Sequence, residues 1–147
     1  MTRVAFDTNI LIYAEFEAET ANGALAEKTL RLGGRNGVIP LQVLGELLRF
    51  AQRRRPDFFS RTVARAEHYR RVFMTPATTP SALGRAARLT SRYNIQFWDA
   101  VVCAASLEEE ARVLMTEDMQ DGETIGGLRL INPFDPANTD AINALFE

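Results

Sequence analysis

The sequence predicts a three-layer α/β/α domain, a mainly parallel sheet with helices on both faces. Two observations lead there. Short apolar, β-prone runs recur along the chain: "RVAF" (3–6), "GVIP" (37–40), "RVLMT" (112–116) and "LRLIN" (128–132). Stretches with apolar residues at helical spacing separate them, and strands alternating with helices build parallel sheets buried on both faces. A length of 147 residues with 46% apolar side chains fits a single domain, 1–147, with a sizeable core.

The elements follow in order. Residues 3–6 form a buried strand and 8–16 a helix. Residues 19–32 form a second helix, with Ala21, Leu25, Thr29 and Leu32 as its stripe and Gly33-Gly34 as its stop. A strand at 37–40 leads into a helix at 41–54, with Leu41, Leu44, Leu48 and Ala51 on one face and Pro56 ending it. Residues 58–73 form a helix whose inward stripe is Phe59, Val63, Ala66, Tyr69 and Phe73. "MTPATT" (74–79) is extended, a candidate third strand. The helix at 80–93 has Pro80 at its first position and Thr79 as its cap. Residues 96–111 form a helix, 112–116 a strand, and 128–132 the last strand before Pro133.

No stretch approaches the ~20 apolar residues of a membrane span. "MTRVAFD" shows no signal-peptide pattern, so a cytoplasmic protein without membrane contact is expected. A lone cysteine, Cys103, excludes an internal disulfide and fits a reducing compartment. The net charge of −2 hides an asymmetry: residues 49–92 carry 11 arginines against Asp57 and Glu67, whereas residues 93–147 carry 2 basic and 11 acidic side chains. Arginine forks pair well with phosphate, so this middle segment fits a polyanion. It equally fits ordinary solvated helix faces, or partial pairing with the acidic surface of 105–125.

In open parallel sheets, functional groups gather at the carboxyl ends of the strands. Asp7 follows the first strand and Asp118 the 112–116 strand. Asp99 lies in the first turn of an otherwise apolar helix. Glu46 lies roughly 6–9 Å into the helix after strand two. Singly, each has a structural reading: a turn or cap for Asp7, the helix dipole for Asp99, a polar loop for Asp118, solvent beside Arg49 for Glu46. Together they fit those readings poorly, because four segments bring a carboxylate to one edge. At close range each pair repels by on the order of 3–4 kcal/mol at an effective dielectric of ~20. Protons, arginines or a hard divalent cation would relieve this, and an all-oxygen set suits Mg²⁺ or Mn²⁺. Zinc would call for His or Cys near these segments.

Other catalytic equipment is scarce. His68, the only histidine, lies mid-helix, far in sequence from every acid, and Cys103 lies in an apolar helix. A Ser-His-Asp or Cys-His enzyme does not fit. Phosphate-binding glycine loops are absent. Phosphoryl chemistry remains, by an aspartyl nucleophile or by metal-activated water. The first route wants D-x-D after strand one, and here the stretch is Asp7-Thr8-Asn9. A non-catalytic module whose acids dock basic partner residues is a third reading.

The set "VAFDTNILI … LGELLR … WDAVVCAA … LMTEDMQDG … INPF" closely resembles PIN-domain ribonucleases, especially the VapC-type toxins of bacterial toxin–antitoxin pairs, from residue 4 to about 135. The resemblance implies a PIN-like fold and an acidic catalytic metal site of Asp7, Glu46, Asp99 and Asp118. Thr8, Asn9 and Thr116 would support it, with Asp121 as an additional outer acid; Glu117 matches the pattern less well than Asp118. It implies a Mg²⁺- or Mn²⁺-dependent endoribonuclease using water as nucleophile and leaving 5′-phosphate and 3′-hydroxyl ends. It also implies an RNA substrate, a homodimer, and a cognate antitoxin that threads a C-terminal segment over the site, often with an Arg entering the acids. The arginine-rich segment would cradle RNA, with Arg49, Arg53, Arg54, Arg85, Arg88 and Arg92 as candidates. A housekeeping RNA-processing nuclease of the same fold is the nearest alternative.

Overall fold

The computed structural model describes residues 2–147. Its elements run β1 (Val4–Phe6), α1 (Thr8–Phe16), α2 (Ala21–Gly33), β2 (Gly37–Val38), α3 (Leu41–Arg54), α4 (Phe59–Val72), α5 (Pro80–Tyr93), α6 (Phe97–Glu108), β3 (Val113–Met115), β4 (Thr124–Ile125), β5 (Leu128–Ile131) and α7 (Thr139–Leu145). The sheet has five strands in the order β2-β1-β3-β5-β4. Three of the four pairings are parallel, and only β4–β5 is antiparallel. This is the expected α/β architecture with a mainly parallel sheet.

Every residue of β1 and β3 is buried, which explains their unbroken apolar sequence. Helix α6 is buried from Ala100 to Leu107, and its "AVVCAASL" run is apolar nearly all round for that reason. Helix α5 packs on α6, α2 on α1, and α3 against both α1 and α4. No helix among the described residues is long and apolar enough to cross a membrane.

Several details differ from the sequence reading. In α2 the buried face is Gly23, Ala26, Thr29, Leu30 and Gly33, while Ala21 and Leu32 are exposed. In α3 it is Val43, Leu44, Leu47 and Ala51, and Leu41 is exposed. In α4, Val63 is exposed and Thr62 is buried instead, its hydroxyl donating to Phe58 O at 2.8 Å. Thr29, Leu44, Ala51, Ala66 and Tyr69 are buried as expected, and the remaining members of each stripe are displaced by one or two positions. A real helix buries a face wide enough that spacing alone does not fix its centre. Residues 74–79 contribute one parallel bridge, Val38 with Met74, rather than a strand. Ile39 N–H and Leu41 N–H donate to Met74 O and Pro76 O, which leads the chain from β2 into α3. Helix α6 ends at Glu108, because Glu110 turns the chain at φ 61°.

Two elements, β4 and α7, escaped the sequence reading. The β4–β5 hairpin turns through Gly126 and Gly127, at φ 57° and 93°, a geometry that glycine supplies without strain. Helix α7 buries Ile142 beyond the last strand.

Candidate active site at the carboxyl edge of the sheet

The chain leaves β1 towards β2 on one side, and later enters β3 on the other side of β1. The carboxyl ends of β1 and β3 therefore flank the point where strand order reverses. Crevices in open α/β sheets form there. Asp7 is the first residue after β1, and Thr116 to Asp118 follow β3 directly. Asp7 N–H donates to Met115 O at 3.0 Å, fixing the two strand ends together.

Asp7 is buried and caps α1. Its Oδ1 accepts from Thr8 N–H at 2.8 Å, and its Oδ2 accepts from the Thr116 hydroxyl at 2.8 Å. The buried Thr116 hydroxyl also accepts from Asp118 N–H at 3.2 Å and from Asn9 Nδ2 at 3.4 Å. Asn9 Nδ2 donates to Asp118 Oδ2 at 3.0 Å, while Asn9 Oδ1 accepts from Glu117 N–H at 3.1 Å. Thr8 donates its hydroxyl to Glu46, whose other oxygen accepts from Gln42 Nε2 at 2.8 Å. Thr8, Asn9 and Thr116 thus each hydrogen-bond an acid side chain.

Asp99 enters from α6, where Gln96 caps the helix by accepting from Asp99 N–H at 3.1 Å. Its carboxylate has no hydrogen-bond partner among the described residues. Burial raises its pKa, and the charges of Asp118 and Glu46 raise it further. Asp7 is pushed up to about 6. Burial is the main cause, the Thr8 and Thr116 hydrogen bonds oppose it, and the charges of Asp99 and Glu46 add to it. Four acids from four segments therefore feel one another. None forms an ion pair with Arg, Lys or His among the described residues.

This donor set is all oxygen and uncompensated, which suits a hard divalent cation. Among the described residues no three acid, His or Cys groups stand close enough to form a ready-made cage. Glu46, Asp99 and Asp118 line two adjoining crevices instead, while Asp7 is buried and lines neither. One is bounded by Asp99, Asp118 and Gln96, and the other by Glu46, Asp118, Thr8 and Asn9.

Arg49, Arg53 and Arg54 line the second crevice. Arg85, Arg88 and Arg92 lie on α5 and line neither crevice. Among the described residues no arginine of 49–92 pairs with an acid of 105–125, and Arg65 goes to Glu15 instead. Asp121 stands apart from the acid network. It accepts from Asn132 N–H at 2.8 Å and from Asn138 Nδ2 at 3.1 Å, tying the end of β5 to the turn before α7. Cys103 is buried, and its thiol is pushed up to about 12 by burial and then by the Asp7 and Asp99 charges, which leaves it inert.

The sequence reading missed Gln42. Its signal was present: Gln42 precedes Glu46 by four residues, one turn of the same helix face. Trp98 also lines the second crevice.

The PIN domain model matches residues 4–120. No curated protein matches the chain. Among solved structures, a toxin–antitoxin complex from Klebsiella pneumoniae is similar, with a TM-score of 0.71 at 22% identity over 90% of this chain and 98% of that one. DNA-bound VapBC from Salmonella typhimurium gives a TM-score of 0.68 at 17% identity, covering 90% and 99%. Mycobacterium tuberculosis VapC20, described as a sarcin-ricin loop cleaving toxin, gives 0.64 at 19% identity, covering 78% and 89%. At these identities the structural matches speak for the fold.

Proposed function

The chain belongs to the PIN domain family, and from that premise we propose that it is a Mg²⁺- or Mn²⁺-dependent endoribonuclease, the toxin of a type II toxin–antitoxin pair. One observation carries the reading. Asp7, Glu46, Asp99 and Asp118 converge on the switch point of the sheet, couple electrically, and have no cationic partner among the described residues.

Those four carboxylates would hold the ion. When bound, it would supply an activated water and neutralise charge developing on the phosphodiester. The protein's own groups do the rest. Thr116 fixes Asp7 through Oδ2, Thr8 fixes Glu46, and Asn9 fixes Asp118. Outer partners of this kind orient the ligating oxygens. Asp99 brings an oxygen pair free of other hydrogen bonds among the described residues. Arg49, Arg53 and Arg54 supply phosphate-binding charge along the same crevice. The unmatched acids also suit capture of a basic side chain from an antitoxin, which would neutralise them and block the site. The toxins and toxin–antitoxin complexes among the structural neighbours support that assignment.

The test is RNA cleavage with Mg²⁺ or Mn²⁺ by wild type and by Asp99→Asn. Because the acids act as a unit, Asp99→Asn should lose on the order of 10³-fold or more in rate. The product ends should carry 5′-phosphates. Equal cleavage by both proteins, or none by wild type with Mn²⁺, would overturn the reading.

A further inference from the structure

Trp98 is the most exposed of the large apolar side chains among the described residues, at 55% relative exposure. Its position is peculiar for so large an apolar ring. It is the second residue of α6, a helix buried from Ala100 to Leu107, and it immediately precedes Asp99. Single exposed apolar residues are ordinary on protein surfaces. This one lies on a groove of about 560 Å³ that is also lined by Glu46, Asp118, Arg49, Arg53 and Arg54.

The ring has an aromatic neighbour, and its backbone has a polar one. Phe97 meets it edge-on, with centroids 5.1 Å apart and planes at 73°. Its backbone carbonyl accepts from Gln42 Nε2 at 3.3 Å, and the same Gln42 group donates to Glu46 at 2.8 Å. One side chain therefore sets Trp98 and a carboxylate of the acid network relative to each other.

The groove combines three features: an exposed indole, arginines without ion-pair partners among the described residues, and the acid network. Cations for phosphates beside an aromatic surface for a base is how proteins hold single-stranded nucleic acid. We propose that Trp98 is the stacking platform for an unpaired RNA base next to the scissile phosphate, with Arg49 and Arg53 taking the flanking phosphates. This rests on the RNA-cleaving reading of the acid site.

Trp98 is the chain's only tryptophan, so its fluorescence reports on this contact directly. Short oligoadenylate and an abasic oligomer of equal length would be titrated in EDTA, which prevents cleavage. Oligoadenylate should quench Trp98 saturably, whereas the abasic oligomer should bind more weakly and leave emission unchanged. Trp98→Ala should weaken oligoadenylate binding about 10-fold, within the range of one base–aromatic stack, without weakening abasic binding. Trp98→Phe should restore most of the affinity and Trp98→Leu should not. Arg53→Ala should weaken both oligomers alike.

Three results would overturn the proposal. If Trp98→Ala binds as wild type while Arg53→Ala loses affinity, RNA binding stands and the platform falls. If Trp98→Ala changes the molecular mass in solution without changing RNA affinity, Trp98 is a protein contact. If wild type binds neither oligomer, the platform falls, while the RNA-cleaving reading stands or falls separately on cleavage with Mg²⁺ or Mn²⁺.

Discussion

Two carboxylates mark the two ends of α1, and they have opposite surroundings. Glu15, near the carboxyl end, is almost buried, yet it accepts from Arg65 Nε at 2.9 Å and from the Tyr69 hydroxyl at 2.7 Å. Its charge has a cation and a phenol, although it lies at the helix end where the dipole disfavours an anion. Asp7, at the amino end, has two hydrogen bonds and a favourable dipole, but its charged neighbours are other acids. A buried carboxylate matched by a guanidinium stabilises the fold. A buried carboxylate matched only by like charges costs stability and leaves a place for something positive. The grooves between α1, α2 and α4, lined by Glu15, Arg61 and Arg65, hold the matched type; the crevices at the sheet edge hold the unmatched type.

The contrast is broken most sharply by pH. The folded-state pKa of Asp7 lies at about 6, above its ordinary 3.8. The folded protein therefore binds protons that the unfolded chain has released between those values. Stability in EDTA should fall as pH rises from about 4 to 6, by about 3 kcal/mol from this group. Burial and like charge at Asp99 act in the same direction. Asp7→Asn should flatten that slope and unfold no more readily than wild type at pH 7 without metal, in urea titrations. A wild type that gains stability over this window, with Asp7→Asn unchanged in slope, would place Asp7 with the matched acids. Excess Mg²⁺ at pH 7 should return part of the lost stability to wild type and little to Asp7→Asn.

Glu15→Ala tests the other end of α1. It removes the acceptor of the buried Tyr69 hydroxyl and the partner of Arg65. Losing hydrogen bonds to a charged group should cost about 2 kcal/mol, read as a lower urea midpoint, while RNA cleavage per folded molecule stays unchanged. Lost cleavage at unchanged stability would make Glu15 part of the site.

The smallest effect belongs to a carboxylate that is matched but exposed. Glu67 pairs with Arg70 at 3.1 Å across one turn of α4, with both side chains about half exposed. Glu67→Ala should shift stability by no more than about 0.5 kcal/mol, because exposed pairs of this kind contribute little. A larger loss would show that burial is not what separates Glu67 from Glu15.

The acids were legible in sequence because each follows an element boundary that local chemistry marks: an apolar strand ending in Asp7, another ending before Asp118, and an apolar helix interrupted by Asp99 in its first turn. Glu46 was legible as a glutamate set among leucines. Thr116 was legible only as the residue beside an acid; its three hydrogen bonds join β1 to β3 and needed the fold. Asp121 resembled a fifth acid because it sits close to Asp118 in the chain. The loop carries it instead to Asn132 and Asn138, outside the network. The arginines could be counted but not placed. Six candidates divide into three on α3 beside the acids and three on α5 away from both crevices. Helix spacing gives neighbours along one element and says nothing about which groove that face meets.

By itself, the sequence determined the strand–helix alternation, the parallel sheet and the four candidate acids, since period, capping and apolar runs are local properties of the chain. Only the tertiary structure decided that Glu15 is matched and Asp7 is not. Charge compensation depends on through-space partners, such as Arg65 fifty residues beyond Glu15, and on burial, which no single segment carries. It also decided that the lone tryptophan faces the acid crevice instead of the core. Helix α6 packs on α5 and is buried from Ala100 to Leu107, and Trp98, in its first turn, lies outside that covered stretch.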